Sequence, residues 1–332
     1  MPDISLLEPS VLRGVVEKLT SPENLVLSNS LPKTPWPYPA VTWDVIKGSR
    51  MVAKPNVPNS EAHIVPRLGI SQESASFIYL REKKVFEPTT LHWLRAPGTI
   101  SNLKNAEQAV LREVTDLNQR FDNFVEFICW QALTGTLTLD YPDVQASIDY
   151  HVPATHKAHP GTAWGSATPV QIVDDVTAWK RLLQRDARVQ ATDAWCTDVT
   201  VNRIFKSFAV GSGSISLLSD RMKDEYYKTG TLPGFLGLNW HLIDSVYDTD
   251  NGVSTMFVPD DALFITNLRD GRPMEIMEGP TADDEAPEGF TGKFSKTWKE
   301  KDPSARQFLL EYHCLPILTR PEQVVYIDDV DS

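Results

Sequence analysis

The apolar positions of this chain change period several times, and each change marks a different element. Leu6, Leu7, Val11, Leu12, Val15, Val16 and Leu19 recur at helical spacing, which predicts a short amphipathic helix from Ser5 to about Leu19. Prolines at 32, 35, 37 and 39 then exclude helix, because each lacks an amide donor and holds the backbone extended. Trp36, Tyr38 and Trp43 stand in and beside that stretch. Three large aromatics are out of place in a bare linker, so the segment predicts an ordered arm lying on another surface.

Two runs of strand character, Arg50 to Val57 and Ala75 to Phe86, flank a region interrupted by Pro55, Pro58, Pro66 and Gly69 and predict a long hairpin. A hairpin alone has no second layer to bury its apolar face and is marginal in water. This one carries Phe77, Ile78, Tyr79, Leu80, Val85 and Phe86, so the rest of the chain or another subunit must cover it. The most regular pattern follows. Leu103, Ala106, Val110, Val114, Leu117, Phe121, Val125 and Ile128 repeat at steps of three and four between Pro97-Gly98 and Gly135, predicting one helix of about 35 residues, roughly 50 Å long. Its apolar face widens from Phe121 to Trp130, as expected of a spine helix laid along a sheet rather than of a coiled coil with a narrow seam.

Beyond it, Gly135 to Tyr150 alternates as strand, and 151–168 reads as a loop rich in Pro, Gly, Ala and Thr. Helices are expected from Asp174-Asp175, from Asp193 or Thr197 through Phe208, and over about Ile215 to Tyr227. Strand patterns return at Phe235 to Tyr247, Thr255 to Phe257, Ala262 to Asn267, Arg306 to Leu318 and Val324 to Ile327. The fold class is α+β, with a helix-rich insertion between the long helix and the C-terminal strands.

Composition narrows the function classes. With 41% hydrophobic and 23% charged residues, the 332-residue chain can bury a sizeable core. Lys plus Arg is 32 against 44 for Asp plus Glu, a net charge of −12 that disfavours gripping a nucleic-acid backbone. Cys129, Cys196 and Cys314 are odd in number and sit among apolar neighbours, so they read as reduced, buried thiols of a cytosolic product. Neither a secretory leader nor a membrane-spanning run is evident.

Catalytic and metal patterns are weak. His151, His156 and His159 are clustered in sequence, but no carboxylate or thiol stands at ligand spacing, so an ordinary polar loop is the better reading. Gly211-Ser-Gly-Ser214 lacks the Gly-Lys-Ser/Thr of a phosphate loop and reads as a helix cap. The pairs Asp174-Asp175, Asp260-Asp261, Asp283-Asp284 and Asp328-Asp329 read as caps and solvated charge. No catalytic residue, cofactor or metal is assigned. What the pattern does predict is an arm, an uncovered hairpin and an oversized helix. Large exposed apolar surfaces mark interfaces, and three on one chain point to a shell or lattice subunit.

Particular residues sharpen this. Lys296-Thr-Trp-Lys-Glu-Lys-Asp302-Pro303-Ser-Ala-Arg306-Gln-Phe308-Leu-Leu310, followed by Leu315-Pro-Ile-Leu318 and Pro321-Glu-Gln-Val-Val325, resembles the end of lambda-like tailed-phage major capsid proteins. Gly161-Thr-Ala-Trp164 with Asp174-Asp175-Val-Thr-Ala-Trp179 resembles the opening of that family's inserted domain, and Ala75-Ser-Phe-Ile-Tyr-Leu-Arg81-Glu-Lys-Lys84 is similar to its returning hairpin strand. The resemblance implies the HK97-like major capsid protein fold, with an N-terminal arm at 1–48, an extended β-hairpin loop at 49–98, a peripheral domain at 99–169 and 295–332 containing the spine helix, and an inserted axial domain at 170–294.

The implied function is structural: self-assembly into hexamers and pentamers of an icosahedral head enclosing double-stranded DNA without sequence-specific binding. The implied partners are other copies of the chain, a scaffolding protein, a decoration protein and a portal, with assembly in the host cytoplasm and residence in the virion. The expected inter-subunit contacts are Trp36, Tyr38, Arg50, Lys54, Arg67, Phe77, Tyr79, Arg81, Lys83 and Lys84. The alternatives are an encapsulin-like nanocompartment shell and a soluble hydrolase or binding protein with dispersed site residues.

Overall fold

The computed structural model describes residues 14–16, 18–19, 21–22, 24–46, 70–87, 102–142, 144–210, 224–225, 228, 231–249, 252–302 and 304–330. In chain order the first elements are helix α1 (Val26–Ser30) and strands β1 (Lys33–Pro35), β2 (Ala40–Ile46), β3 (Ile70–Ser76) and β4 (Ile78–Phe86). The long helix α2 (Asn102–Thr134) follows, then β5 (Thr136–Tyr141), β6 (Val144–Asp149), β7 (Lys157–Ala158), helix α3 (Pro169–Asp186), β8 (Asp193–Cys196) and helix α4 (Asp198–Val210). The remainder is strand: β9 (Thr231–Phe235), β10 (Leu238–Leu242), β11 (Val246–Asp248), β12 (Ser254–Met256), β13 (Leu263–Thr266), β14 (Met274–Glu278), β15 (Phe294–Lys301), β16 (Ser304–Leu318) and β17 (Val324–Ile327). The chain divides into two compact units, one of residues 1–41, 75–129 and 275–316, the other of 42–74, 130–274 and 317–332.

In the first unit β16 is the organising strand. Its sequence from Phe308 to Leu318 is nearly all apolar, and the strand is buried from Phe308 onward, the signature of a strand covered on both faces. β15 runs antiparallel along one edge, from Phe294 opposite Glu311 to Lys301 opposite Ser304. β4 runs antiparallel along the other, from Arg306 opposite Phe86 to Cys314 opposite Ile78. β14 continues the sheet, and β1 joins it in parallel through Lys33 and Ile276. The second strand of the predicted hairpin, β4, is therefore paired edge to edge by the chain's own β16.

The helix α2 is 33 residues long, and its buried positions Val110, Val114, Leu117, Phe121, Val125 and Ile128 keep the expected steps. It also carries a polar task. Buried Glu126 accepts the Leu27 and Ser28 amides at 3.1 and 2.7 Å. Those are first-turn donors of α1, whose N-terminal flank, Leu25, offers no side-chain cap.

In the second unit, a six-stranded sheet has the order β7-β17-β13-β8-β10-β9. β8 and β10 are parallel, and β13 is antiparallel to both β8 and β17. One apolar core joins α3 and α4 to this sheet through Ile172, Val176, Trp179, Leu183, Val201, Ile204, Trp240 and Ile265. At Gly135 the backbone takes φ +94°, and a Cβ would meet Val152 at 3.0 Å, so glycine is required where the long helix gives way to β5.

Several sequence expectations are corrected. α3 does not start at Asp174-Asp175 but five residues earlier. Thr168 and Gln171 cap each other reciprocally and Pro169 occupies the first turn, which leaves the two aspartates inside the helix. Phe235 to Tyr247 is not one strand, because the left-handed residues Leu236 and Gly237 turn β9 back on β10. β3 pairs with β2. The 151–168 loop contains β7 and a short 3-10 turn, Ala154–His156. Most of the expected N-terminal helix, the strand at 50–57, the Gly211–Ser214 cap and most of the helix at 215–227 lie outside the described residues.

Candidate functional site

The alternation of β4 separates two chemistries. Tyr79, Arg81, Lys83 and Val85 fall on one face and are exposed; Leu80, Glu82 and Lys84 fall on the other and are partly covered. α2 supplies that cover. Lys84 Nζ donates to Glu113 and Asp116 at 2.8 and 3.1 Å, and Arg120 Nε donates to Glu82 at 2.9 Å. The Glu113 and Asp116 carboxylates raise the Lys84 amine, burial opposing them. What remains open is a stripe of two basic side chains between two apolar ones, Tyr79 at 54% and Val85 at 50% exposure.

Charge behind the stripe holds it in register. Glu311 is buried in mid-strand: its carboxylate accepts the Ala282 amide at 2.8 Å and lies 3.1 Å from His313 Nε2 and 3.3 Å from Arg81 Nε. His313 Nδ1 lies 2.6 Å from the Pro280 carbonyl, and the Tyr79 ring packs edge-on against the imidazole at 4.3 Å. Asp283 meets Lys296 at 2.5 Å and Arg81 at 3.5 Å. Burial pushes the Asp283 carboxyl up, but Lys296, the Glu285 amide and Arg81 outweigh it and hold it below the usual range. Arg81 is thus fixed by two carboxylates of its own chain while much of its guanidinium faces solvent.

The arm presents a second surface. Trp36 donates its backbone amide to Glu278 at 2.8 Å and its indole N–H to Ala40 at 2.9 Å, and its ring meets Tyr38 edge-on at 6.0 Å. Tyr38 is 64% exposed. Of the other residues named from sequence, Phe77 is buried in its own unit with its ring against Gly279, where a Cβ would come within 2.7 Å, so it packs the subunit's interior. Arg50, Lys54 and Arg67 lie outside the described residues. Sequence reasoning missed Glu311, His313, Asp283 and Lys296. The signal for the first two was two ionisable residues interrupting an otherwise apolar run.

The three clustered histidines do not converge. Buried His156 lies 2.9 Å from the Val324 carbonyl and 3.1 Å from Asp186, whereas His151 faces Glu73 and His159 faces Asp328. Among the described residues no three His, Cys, Asp or Glu side chains are grouped to hold a metal, and no helix is long and apolar enough to cross a membrane.

The architecture is similar to that of solved capsid structures. A prophage capsid protein from E. coli CFT073 superposes with a TM-score of 0.66 at 14% identity, over 97% of this chain and 99% of that one. The satellite phage P4 procapsid gives 0.53 at 11% identity, over 97% and 91%. A virus-like particle from Pyrococcus furiosus gives 0.51 at 12% identity, over 99% and 100%. No curated protein matches the sequence. The shared fold is the HK97-like fold of phage capsids. The family model of phage major capsid protein E matches residues 8–328, nearly the whole length, so this chain is a capsid shell protein belonging to that family.

Proposed function

We propose that the chain builds an icosahedral phage head as hexamers and pentamers around double-stranded DNA, and that the Tyr79-Arg81-Lys83-Val85 face and the Trp36-Tyr38 arm are contacts between neighbouring copies. The observation that carries this is the two-sidedness of β4: α2 holds one face by ion pairs, while the other presents two exposed apolar groups flanking two cations. A net charge of −12 supplies acidic surface to receive that basic stripe and reduces adhesion of the shell to packaged DNA. Arg50, Lys54 and Arg67 would extend the same contact along the 49–98 segment, within a division into arm 1–48, loop 49–98, peripheral domain 99–169 and 295–332, and axial domain 170–294. A separate scaffolding protein, a portal and a decoration protein complete the assembly, which takes place in host cytoplasm.

The test is a Tyr79→Ser, Val85→Ser double variant. Both positions are exposed, so circular dichroism should match the parent while electron microscopy shows no closed shells. Normal heads from this variant would refute the contact assignment. A nanocompartment shell is the second reading, favoured by similarity to the SrpI encapsulin of Synechococcus elongatus, with a TM-score of 0.50 at 9% identity over 95% of this chain and 92% of that one. Phage heads isolated from infected cells should carry DNA, whereas a nanocompartment should carry protein cargo.

A further inference from the structure

One end of the six-stranded sheet gathers arginine. β8 and β17 begin there and β13 ends there, so the last turn of α3 and the segments 187–192, 267–273 and 319–323 converge on it. Hydrogen bonds tie them together. Asn267 Nδ2 donates to the Gln190 carbonyl at 2.7 Å, the Asn267 amide to the Gln323 carbonyl at 3.3 Å, and the Thr319 amide to the Pro273 carbonyl at 2.8 Å. Arg185, Arg188, Arg269 and Arg272 are exposed on this rim and Arg320 is half-buried. The carboxylates beside them are Asp186, Asp193, Asp270 and Glu322. Asp186 and Asp193 are buried, the first accepting Arg185 Nε at 3.0 Å and the second lying 3.7 Å from Arg269. At the surface, five arginines therefore face two carboxylates, the reverse of the balance in a chain with 32 cations and 44 acids.

Two of these arginines occupy backbone that favours glycine. Arg188 follows Ala187, the C-cap of α3, with φ +59°, at the position where helices commonly end in glycine. Arg272 has φ +46° directly after Gly271 at +77°, in a tight turn. Neither is ion-paired among the described residues. The helix dipole favours a cation at the end of α3, but Arg185 already supplies one. Arg320 joins the same loop: a Cβ at Gly271 would come within 2.5 Å of its Nη1, so glycine there lets the guanidinium lie on the backbone that carries Arg269 and Arg272. The large exposed apolar side chains of the described residues, such as Tyr79, Val85 and Tyr141, all lie elsewhere. A protein neighbour needs an apolar centre to bury, whereas a phosphate backbone is met by exposed cations without one.

We propose that this arginine rim is a sequence-independent contact for the phosphate backbone of DNA, an inference that rests on the reading of the shell as a container for double-stranded DNA. Guanidinium groups meet phosphate oxygens in paired, charge-assisted hydrogen bonds. The cations come from a helix end and two loops, so they touch phosphates and leave base edges unread. The rim gives the nucleic acid a local hold, while the net charge of −12 keeps the rest of the subunit from adhering to it.

Fluorescence anisotropy of a labelled DNA duplex of mixed sequence, titrated with the soluble full-length subunit, tests this. With about four phosphates neutralised, affinity should fall roughly 100-fold between about 50 and 200 mM salt. Arg188→Gly combined with Arg272→Gly should bind more weakly at the lower salt and lose only roughly 10-fold over the same range, as about two remaining contacts require. Both changes place glycine where the backbone favours it, so thermal unfolding should match the parent's. Arg269→Gln with Arg320→Gln gives a second pair that leaves those turns untouched and should weaken binding in the same way. Equal binding by parent and both variants, or a duplex affinity indifferent to salt, would overturn the proposal. So would tighter binding of a poly-glutamate peptide than of the duplex, which would make the rim a dock for an acidic protein segment. DNA-filled heads whose subunit fails these tests would overturn this contact alone, whereas particles filled with protein cargo would overturn the reading beneath it as well.

Discussion

The two units place their buried charge differently. In the unit of residues 42–74, 130–274 and 317–332, buried ionisable groups stand where elements begin or end: Asp186 closes α3, Asp193 opens β8, and His156 ends a 3-10 turn. The body of that core is aromatic and aliphatic, with Trp164 stacked on Trp179 at 5.8 Å and Trp240 against Phe235 at 5.9 Å. In the other unit buried ionisable groups sit chiefly in mid-element, at Asp122 and Glu126 of α2 and at Glu311 and His313 of β16, with Asp283 between β14 and β15 the exception. Apolar packing tolerates small shifts of register, since one methyl contact replaces another. A mid-strand carboxylate set against the Ala282 amide, Arg81 and His313 does not: slipping β16 by one residue would turn Glu311 to the opposite face and part it from all three. One unit is held chiefly by burial, the other also by specified pairing.

The contrast can be broken most forcefully at Trp240. Trp240→Ala empties a site only 1% exposed and removes an indole donor to the Phe235 carbonyl at 3.0 Å. A loss of about 3–5 kcal/mol is expected, read as a shifted chemical-denaturation midpoint of the soluble subunit. Glu311→Gln should cost less, about 1–3 kcal/mol. It retains an acceptor for the Ala282 amide but removes the charge that His313 and Arg81 share, and turns an amide toward one of those donors. A cost as large as that at Trp240 would mean that specified pairing holds its unit as strongly as burial holds the other.

Acid should separate the units more gently. The Asp283 carboxyl is depressed, so its contribution is complete above the ordinary carboxylate pKa and is lost as pH falls through and below about 4. Burial raises Asp175 despite the Trp164 indole donor, and raises Asp244 despite the Asp198 amide, so protonating them relieves a desolvation cost. Amide exchange at about pH 3 compared with about pH 6 should therefore show β15 and β16 losing protection relative to the first turns of α3. Equal losses in both would refute the distinction.

What could be read from sequence follows from how local each cause is. The steps of three and four from Leu103 to Ile128 specify α2 without reference to anything else, and the apolar run from Phe308 to Leu318 specifies a strand covered on both sides. The start of α3 is also local, written in Thr168, Pro169 and Gln171, although the acidic pair at 174–175 imitates a first turn. β14 and β15 were not visible as strands because Met274–Glu278 and Phe294–Lys301 mix charge with apolar residues, and only pairing to β16 and β1 makes them strands. The exposed face of β4 was half legible. Tyr79, Arg81 and Lys83 followed from hairpin and family resemblance, whereas the roles of Lys84 and Phe77 inside the subunit depend on α2 and on Gly279, far away in sequence.

The three free cysteines have a practical consequence. All are buried, and loss of solvation raises every thiol, Cys314 to about 12, so the reactive thiolate is scarce as long as the subunit stays folded. Cys129 and Cys314 belong to the charge-laced unit and Cys196 to the aromatic one. The order in which an alkylating reagent marks them as a particle is heated or acidified is therefore a built-in clock for which half of the subunit opens first.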